Sequence, residues 1–141
     1  MAVEQVGLTK DSGWQIGVRK TLPISPEKAW DFLFSKEIIR VWLGEVPTFP
    51  LQVGSNFSLK DDTEVKITVL SPGSHLRLSF RTPGCERPSI IQVRTIPSGE
   101  NTVFAFHQEQ LPDWEARQDR KYYFQQALDD LESLLNFINR E

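Results

Sequence analysis

Residues 122–137, YYFQQALDDLESLLNF, decide the fold. Phe124, Ala127, Leu128, Leu131, Leu134, Leu135 and Ile138 recur at steps of three and four, so a helix here carries one apolar stripe about four turns long. Asp113 offers an N-cap upstream, which puts the helix start between Pro112 and Ala116. A stripe of that length must be covered by an apolar surface about as long. The only candidate in the chain is the concave face of a curved antiparallel sheet.

The middle of the chain supplies the sheet. Five short runs of alternating character, divided by turn residues, lie between Val46 and Glu109: NFSLK (56–60), EVKITVL (64–70), HLRLSFR (75–81), SIIQVRTI (89–96) and TVFAFHQE (102–109). FPLQV (49–53) is a further candidate. Leu76, Leu78 and Phe80 share one face of their run, as do Thr102, Phe104, Phe106 and Gln108 of theirs. Ahead of these, Trp14–Leu22 alternates as a half-buried strand with Trp14, Ile16, Val18 and Leu22 on one parity, and Lys20 is the discordant member. Two short helices follow it. Ser25 and Pro26 begin one that carries Trp30, Leu33 and Phe34; Ser35 begins another that carries Ile38, Ile39 and Trp42 and stops at Gly44. The expected architecture is α+β: a curved antiparallel sheet of six or seven strands wrapped on a long C-terminal helix, as one domain over 1–141 with 1–12 a flexible leader.

Composition narrows the function classes. The chain has 141 residues and a net charge of −3 with both signs scattered, which implies no nucleic-acid surface. No apolar run reaches the roughly 20 residues of a membrane span, and the opening lacks the order of a signal peptide, so a cytoplasmic location is expected. Cys85, the only cysteine, excludes an intrachain disulfide and thiolate zinc clusters; in the turn RTPGCERP (81–88) it reads as exposed and inert.

The pieces in order resemble the START-like superfamily, also called SRPBCC, helix-grip or Bet v 1-like. Within it they resemble the group named for the activator of the ninety-kilodalton heat-shock chaperone's ATPase. The resemblance covers Trp14 to Phe137. It is carried by VRKTLPISPEKAWDFLF (18–34), IIRVWLG (38–44), LQVGSNFSL (51–59), SPGSHLRLSF (71–80), TVFAFHQEQLP (102–112) and the C-terminal stretch, where Phe124 stands in place of the usual tryptophan. It implies a cavity beneath the long helix that holds hydrophobic or amphipathic small molecules; some lineages are cyclases, aromatases or hydroxylating systems. The group's name describes a eukaryotic co-chaperone with an additional domain. Nothing in these residues resembles that domain, so the chaperone role is not expected to follow from the name.

Candidate site residues come from what such a cavity needs. Trp30, Phe34, Trp42, Phe57, Phe80, Phe106, Tyr123 and Phe124, with Ala127, sit on elements that should surround one space, with Trp42 and Tyr123 at its mouth. Gln108 shares the inner parity of Phe104 and Phe106, and a buried amide needs partners. It and the Tyr123 hydroxyl are the candidates to fix a ligand's polar end. His75 and His107 alternate with inward residues and are expected at solvent, so no metal site or other cofactor is expected. Glu45, Glu64, Glu109, Asp113 and Glu115 show no recognisable acid/base spacing, and no nucleophile motif occurs. Arg117, Arg120 and Lys121 offer a contact for an anionic ligand group near the mouth, Arg117 and Lys121 standing four apart, but the favoured reading is a solvated helix face paired with Asp113 and Glu115. The functional expectation is a non-enzymatic binder of a small hydrophobic or aromatic molecule, as monomer or homodimer. The alternatives are a chaperone-related module that contacts a chaperone or client protein and, third, a cyclase- or hydrolase-type enzyme.

Overall fold

The computed structural model describes residues 8–9 and 13–139. Strand β1 (Leu8–Thr9) and strand β2 (Gly13–Leu22) precede helices α1 (Pro26–Leu33) and α2 (Lys36–Trp42). A meander follows: β3 (Asn56–Ser58), β4 (Glu64–Ser71), β5 (His75–Arg81), β6 (Ser89–Ser98) and β7 (Asn101–Leu111). The last element is α3 (Trp114–Asn139). All pairings are antiparallel in one seven-stranded sheet, ordered β1-β2-β7-β6-β5-β4-β3. Residues 49–53 are not a strand. The seventh strand is β1, inside the stretch read as a leader; residues 1–7 and 10–12 of that stretch lie outside the described residues.

The inner face follows the alternation. Leu76, Leu78 and Phe80, Ile91 and Val93, and Phe104, Phe106 and Gln108 are buried. From α3, Phe124, Ala127, Leu128, Leu131 and Leu135 close the core against them. The stripe is narrower than its spacing suggests, because Leu134 and Ile138 are exposed along with Phe137. The discordant Lys20 has a reason. Its alternating position faces α3, where Nζ meets Asp129 and Glu132, each at 2.9 Å, and these bonds raise its pKa.

Helix ends follow the sequence in position more than in chemistry. Asp113 caps α3 by accepting from the Ala116 N–H at 2.8 Å. Ser25 and Ser35 occupy the N-cap positions of α1 and α2, yet neither hydroxyl makes a capping bond. Ser35 Oγ instead donates back to the Phe32 carbonyl, which ties the two short helices together.

Candidate functional site

The aromatic residues form a packed spine. Trp30 meets Phe34 at 4.7 Å between ring centroids, and Phe34 meets Phe49 and Trp42. Phe49 continues to Phe57, Trp42 to Phe106, and Phe106 stacks on Phe124 at 5.0 Å and 8°. Trp42, expected at a mouth, is fully buried and its indole N–H donates to the Leu33 carbonyl at 2.9 Å. The reason is that α2 lies with its apolar side against α3 and the sheet, so its last turn points into the core. Ala127, Phe106 and Phe124 are core in the same way. The Tyr123 hydroxyl donates to the Val41 carbonyl at 3.0 Å, tying α3 to α2, and burial pushes its pKa up.

Gln108 is a buried polar residue on the inner face of β7, 1% exposed. Its Nε2 donates to Ser89 Oγ at 2.7 Å, and Ser89 Oγ donates to the Phe80 carbonyl at 3.1 Å. On the other side its Oε1 accepts from Arg120 Nε at 2.7 Å. A guanidinium can only donate, so the amide's orientation is fixed and the relay runs one way: Arg120 to Gln108 to Ser89 to Phe80.

Arg120 corrects the sequence reading most sharply. It does not lie on a solvated face. Its guanidinium carbon sits 4.3 Å from the Tyr123 ring centre, 4.9 Å from Phe124 and 5.0 Å from Phe80, a three-ring cradle for a cation. No carboxylate pairs with it among the described residues, and its buried Nη2 has no hydrogen-bond partner. Burial presses its pKa below the ordinary value, but a guanidinium remains charged at any physiological pH. Arg117 also departs from expectation: its Nε donates to the Gln15 carbonyl and its guanidinium lies over Trp114.

Arg120 and Gln108 form one wall of a pocket of about 180 Å³ where the ends of β5, β6 and β7 meet the first turns of α3. Phe80, Leu111 and Pro112 are apolar parts of its lining; Cys85 and Arg87 come from the turn between β5 and β6. Wider hollows of about 490 and 610 Å³ on the outer surface are lined by ion-paired side chains, Arg81 with Glu64 and Lys60 with Glu45. Of the sequence-chosen residues, Phe80 and Gln108 line the pocket. Tyr123 and Phe124 stand behind it through Arg120, while Trp30, Phe34, Trp42, Phe57, Phe106 and Ala127 belong to the spine and core. Ser89, Cys85, Arg87 and Arg120 line the pocket as well, outside the set that the sequence suggests.

The histidines stay apart from the pocket. His107 Nε2 lies 2.8 Å from Gln15 Oε1 on the outer face, where burial lowers its pKa, and His75 bonds Ser74. Among the described residues no three His, Cys, Asp or Glu side chains group to hold a metal, and no helix is long and apolar enough to cross a membrane.

Residues 23–136 match the family described as activator of Hsp90 ATPase homolog 1-like protein. The chain belongs to that family. The match takes in both short helices, the meander and nearly all of α3, and leaves β1 and β2 outside it. A crystal structure of a protein from Mesorhizobium loti is similar at 23% identity and a TM-score of 0.72, with 86% of this chain and 96% of that one covered. An Hsp90 activator from Plasmodium falciparum is similar at 16% identity and a TM-score of 0.68, covering 86% and 96%. The Aha1 dimer from Colwellia psychrerythraea is similar at 18% identity and a TM-score of 0.68, covering 84% and 92%. At these identities the likeness bears on the activator-homolog fold alone. None of the curated proteins matches the chain.

Proposed function

We propose that this member of the family is a non-enzymatic binding protein whose ligand is a small, mostly apolar molecule seated in the pocket at the start of α3. The observation that carries this reading is the Arg120 guanidinium, without a charged partner among the described residues, on a wall that also presents Phe80, Leu111 and Pro112. Pockets of this kind use apolar walls for affinity and a few placed polar groups for orientation. The polar groups on the wall are two guanidiniums, hydroxyls, amides and one exposed carboxylate, Asp119, which pairs with neither guanidinium among the described residues.

Cys85 provides the test. It is the only thiol of the chain and lies on the pocket wall, so a bound molecule shields it from a small alkylating reagent. Iodoacetamide labelling of Cys85, followed by mass spectrometry with a panel of single-ring aromatic alcohols, amides and acids, is expected to slow several-fold for compounds that occupy the pocket. Labelling at one unchanged rate across the panel would remove the reading.

The family match supports a second reading, a co-chaperone role exercised through the protein surface. Leu134, Phe137 and Ile138 leave an exposed apolar strip near the end of α3 for such contact. In an Hsp90 ATPase assay this reading expects turnover to rise on addition of the protein, and to rise less with Phe137→Ala. Turnover that does not respond counts against it.

A further inference from the structure

We infer that the pocket's ligand is an organic monocarboxylate of about one ring in size, its carboxylate set against the Arg120 guanidinium; this rests on the pocket reading above. Three features of the site converge on that class. The first is charge. Arg87 and Arg120 both line the pocket and neither forms an ion pair among the described residues; Arg87 and the one carboxylate on the lining, Asp119, are exposed, and Arg120 is not. The walls therefore carry two positive charges against one negative, and the largely buried Arg120 is the one placed to gain most from an anion.

The second is orientation. The bond from Nε to Gln108 and the three flanking rings fix the guanidinium plane, so its remaining nitrogens are held at a set angle. A planar carboxylate matches the planar guanidinium where it borders the pocket, Nη2 itself being buried away from any incoming group. The third is size. A cavity of about 150 Å³ lined by apolar side chains holds a benzene ring, and this pocket of about 180 Å³ has room for a ring with its carboxylate. A long acyl chain or a sterol is too large to be enclosed by it. Phe80, Leu111 and Pro112 offer a ring apolar contact that an inorganic anion cannot use.

Calorimetric titration of the unmodified protein with benzoate, benzamide and inorganic phosphate separates the possibilities. Benzoate is expected to bind about tenfold or more tightly than its neutral amide, and phosphate more weakly than benzoate. Gln108→Glu, which gives Arg120 an internal carboxylate, is expected to stay folded by circular dichroism and to weaken benzoate binding by about tenfold or more. Benzamide binding as tightly as benzoate would overturn the carboxylate inference and leave the pocket reading standing. Phosphate binding as tightly as benzoate would overturn it too, by removing the ring. No heat with either aromatic compound would sink both. The benzoate and benzamide comparison depends on no variant, so a Gln108→Glu protein that fails to fold leaves the test decisive.

Discussion

Phe124→Ala is expected to lower the unfolding free energy by about 3–5 kcal/mol, the range for truncating a buried Phe. Phe124 has no exposed surface, and three contacts fail together when its ring goes. Its stack on Phe106 is lost, its edge contact with Tyr123 at 5.5 Å is lost, and Arg120 loses one wall of its cradle. The neighbours are poorly placed to fill the void, since Phe106 is held in the sheet and Tyr123 by its bond to Val41. For a domain near this size the change in melting temperature should be roughly 10 °C or more. Phe137→Ala is the control. It removes the same ring from the same helix at a position 65% exposed, and should change stability by less than about 0.5 kcal/mol. Urea titrations of the two variants make the comparison, and equal losses would mean that α3 does not face the sheet as described.

That pair of residues also shows what the sequence makes legible. Helical spacing alone places Phe124, Leu128, Leu131 and Leu135 on the buried side, and strand parity places Phe104, Phe106 and Gln108 there; the structure agrees on each. Leu134 and Ile138 fall at acceptable steps yet lie at the stripe's edge and near the helix end, where less of the sheet remains to cover them. Spacing gives direction around a helix and says nothing of where the opposing surface stops. Trp42 failed as a mouth residue for a related cause: charged neighbours in sequence project elsewhere on a short helix, while the tryptophan itself points inward.

The sequence does carry a signal for Arg120. The residue stands four residues before Phe124 and three before Tyr123, so it continues the buried stripe by one turn. Its place between two other cations, Arg117 and Lys121, masks that phase. Lys20 shows the same thing on a strand, a cation in an inward series that finds its partners on the facing element. A charged residue in phase with an apolar face is thus a candidate for a buried contact before it is a surface residue. Cys85 and Arg87 carried no comparable signal, because a turn has no period and their place on the pocket wall is set by how β5 and β6 are joined.

Gln108→Leu is expected to cost more alone than in company with Arg120→Leu. Alone, it takes the acceptor from Arg120 Nε and the donor from Ser89 Oγ. The guanidinium is then left against three aromatic rings with no acceptor on Nε and none on the buried Nη2. Losing the partner of a charged donor at a largely buried site costs about 2–3 kcal/mol. In the double variant no charge remains to be stranded. Ser89 keeps its bond to the Phe80 carbonyl, and two leucines among Phe80, Tyr123 and Phe124 bury apolar surface where a polar relay stood. The double variant should therefore lie within about 1 kcal/mol of the natural protein, a coupling of about 2 kcal/mol between the two sites. Chemical denaturation of the natural protein, both single variants and the double variant gives the number. Additive losses would mean that Gln108 and Arg120 act separately, and the one-way relay would fall. A coupling of the expected size would mean that the fold keeps a buried cation an apolar pair could replace, which puts the reason for Arg120 in what enters the pocket.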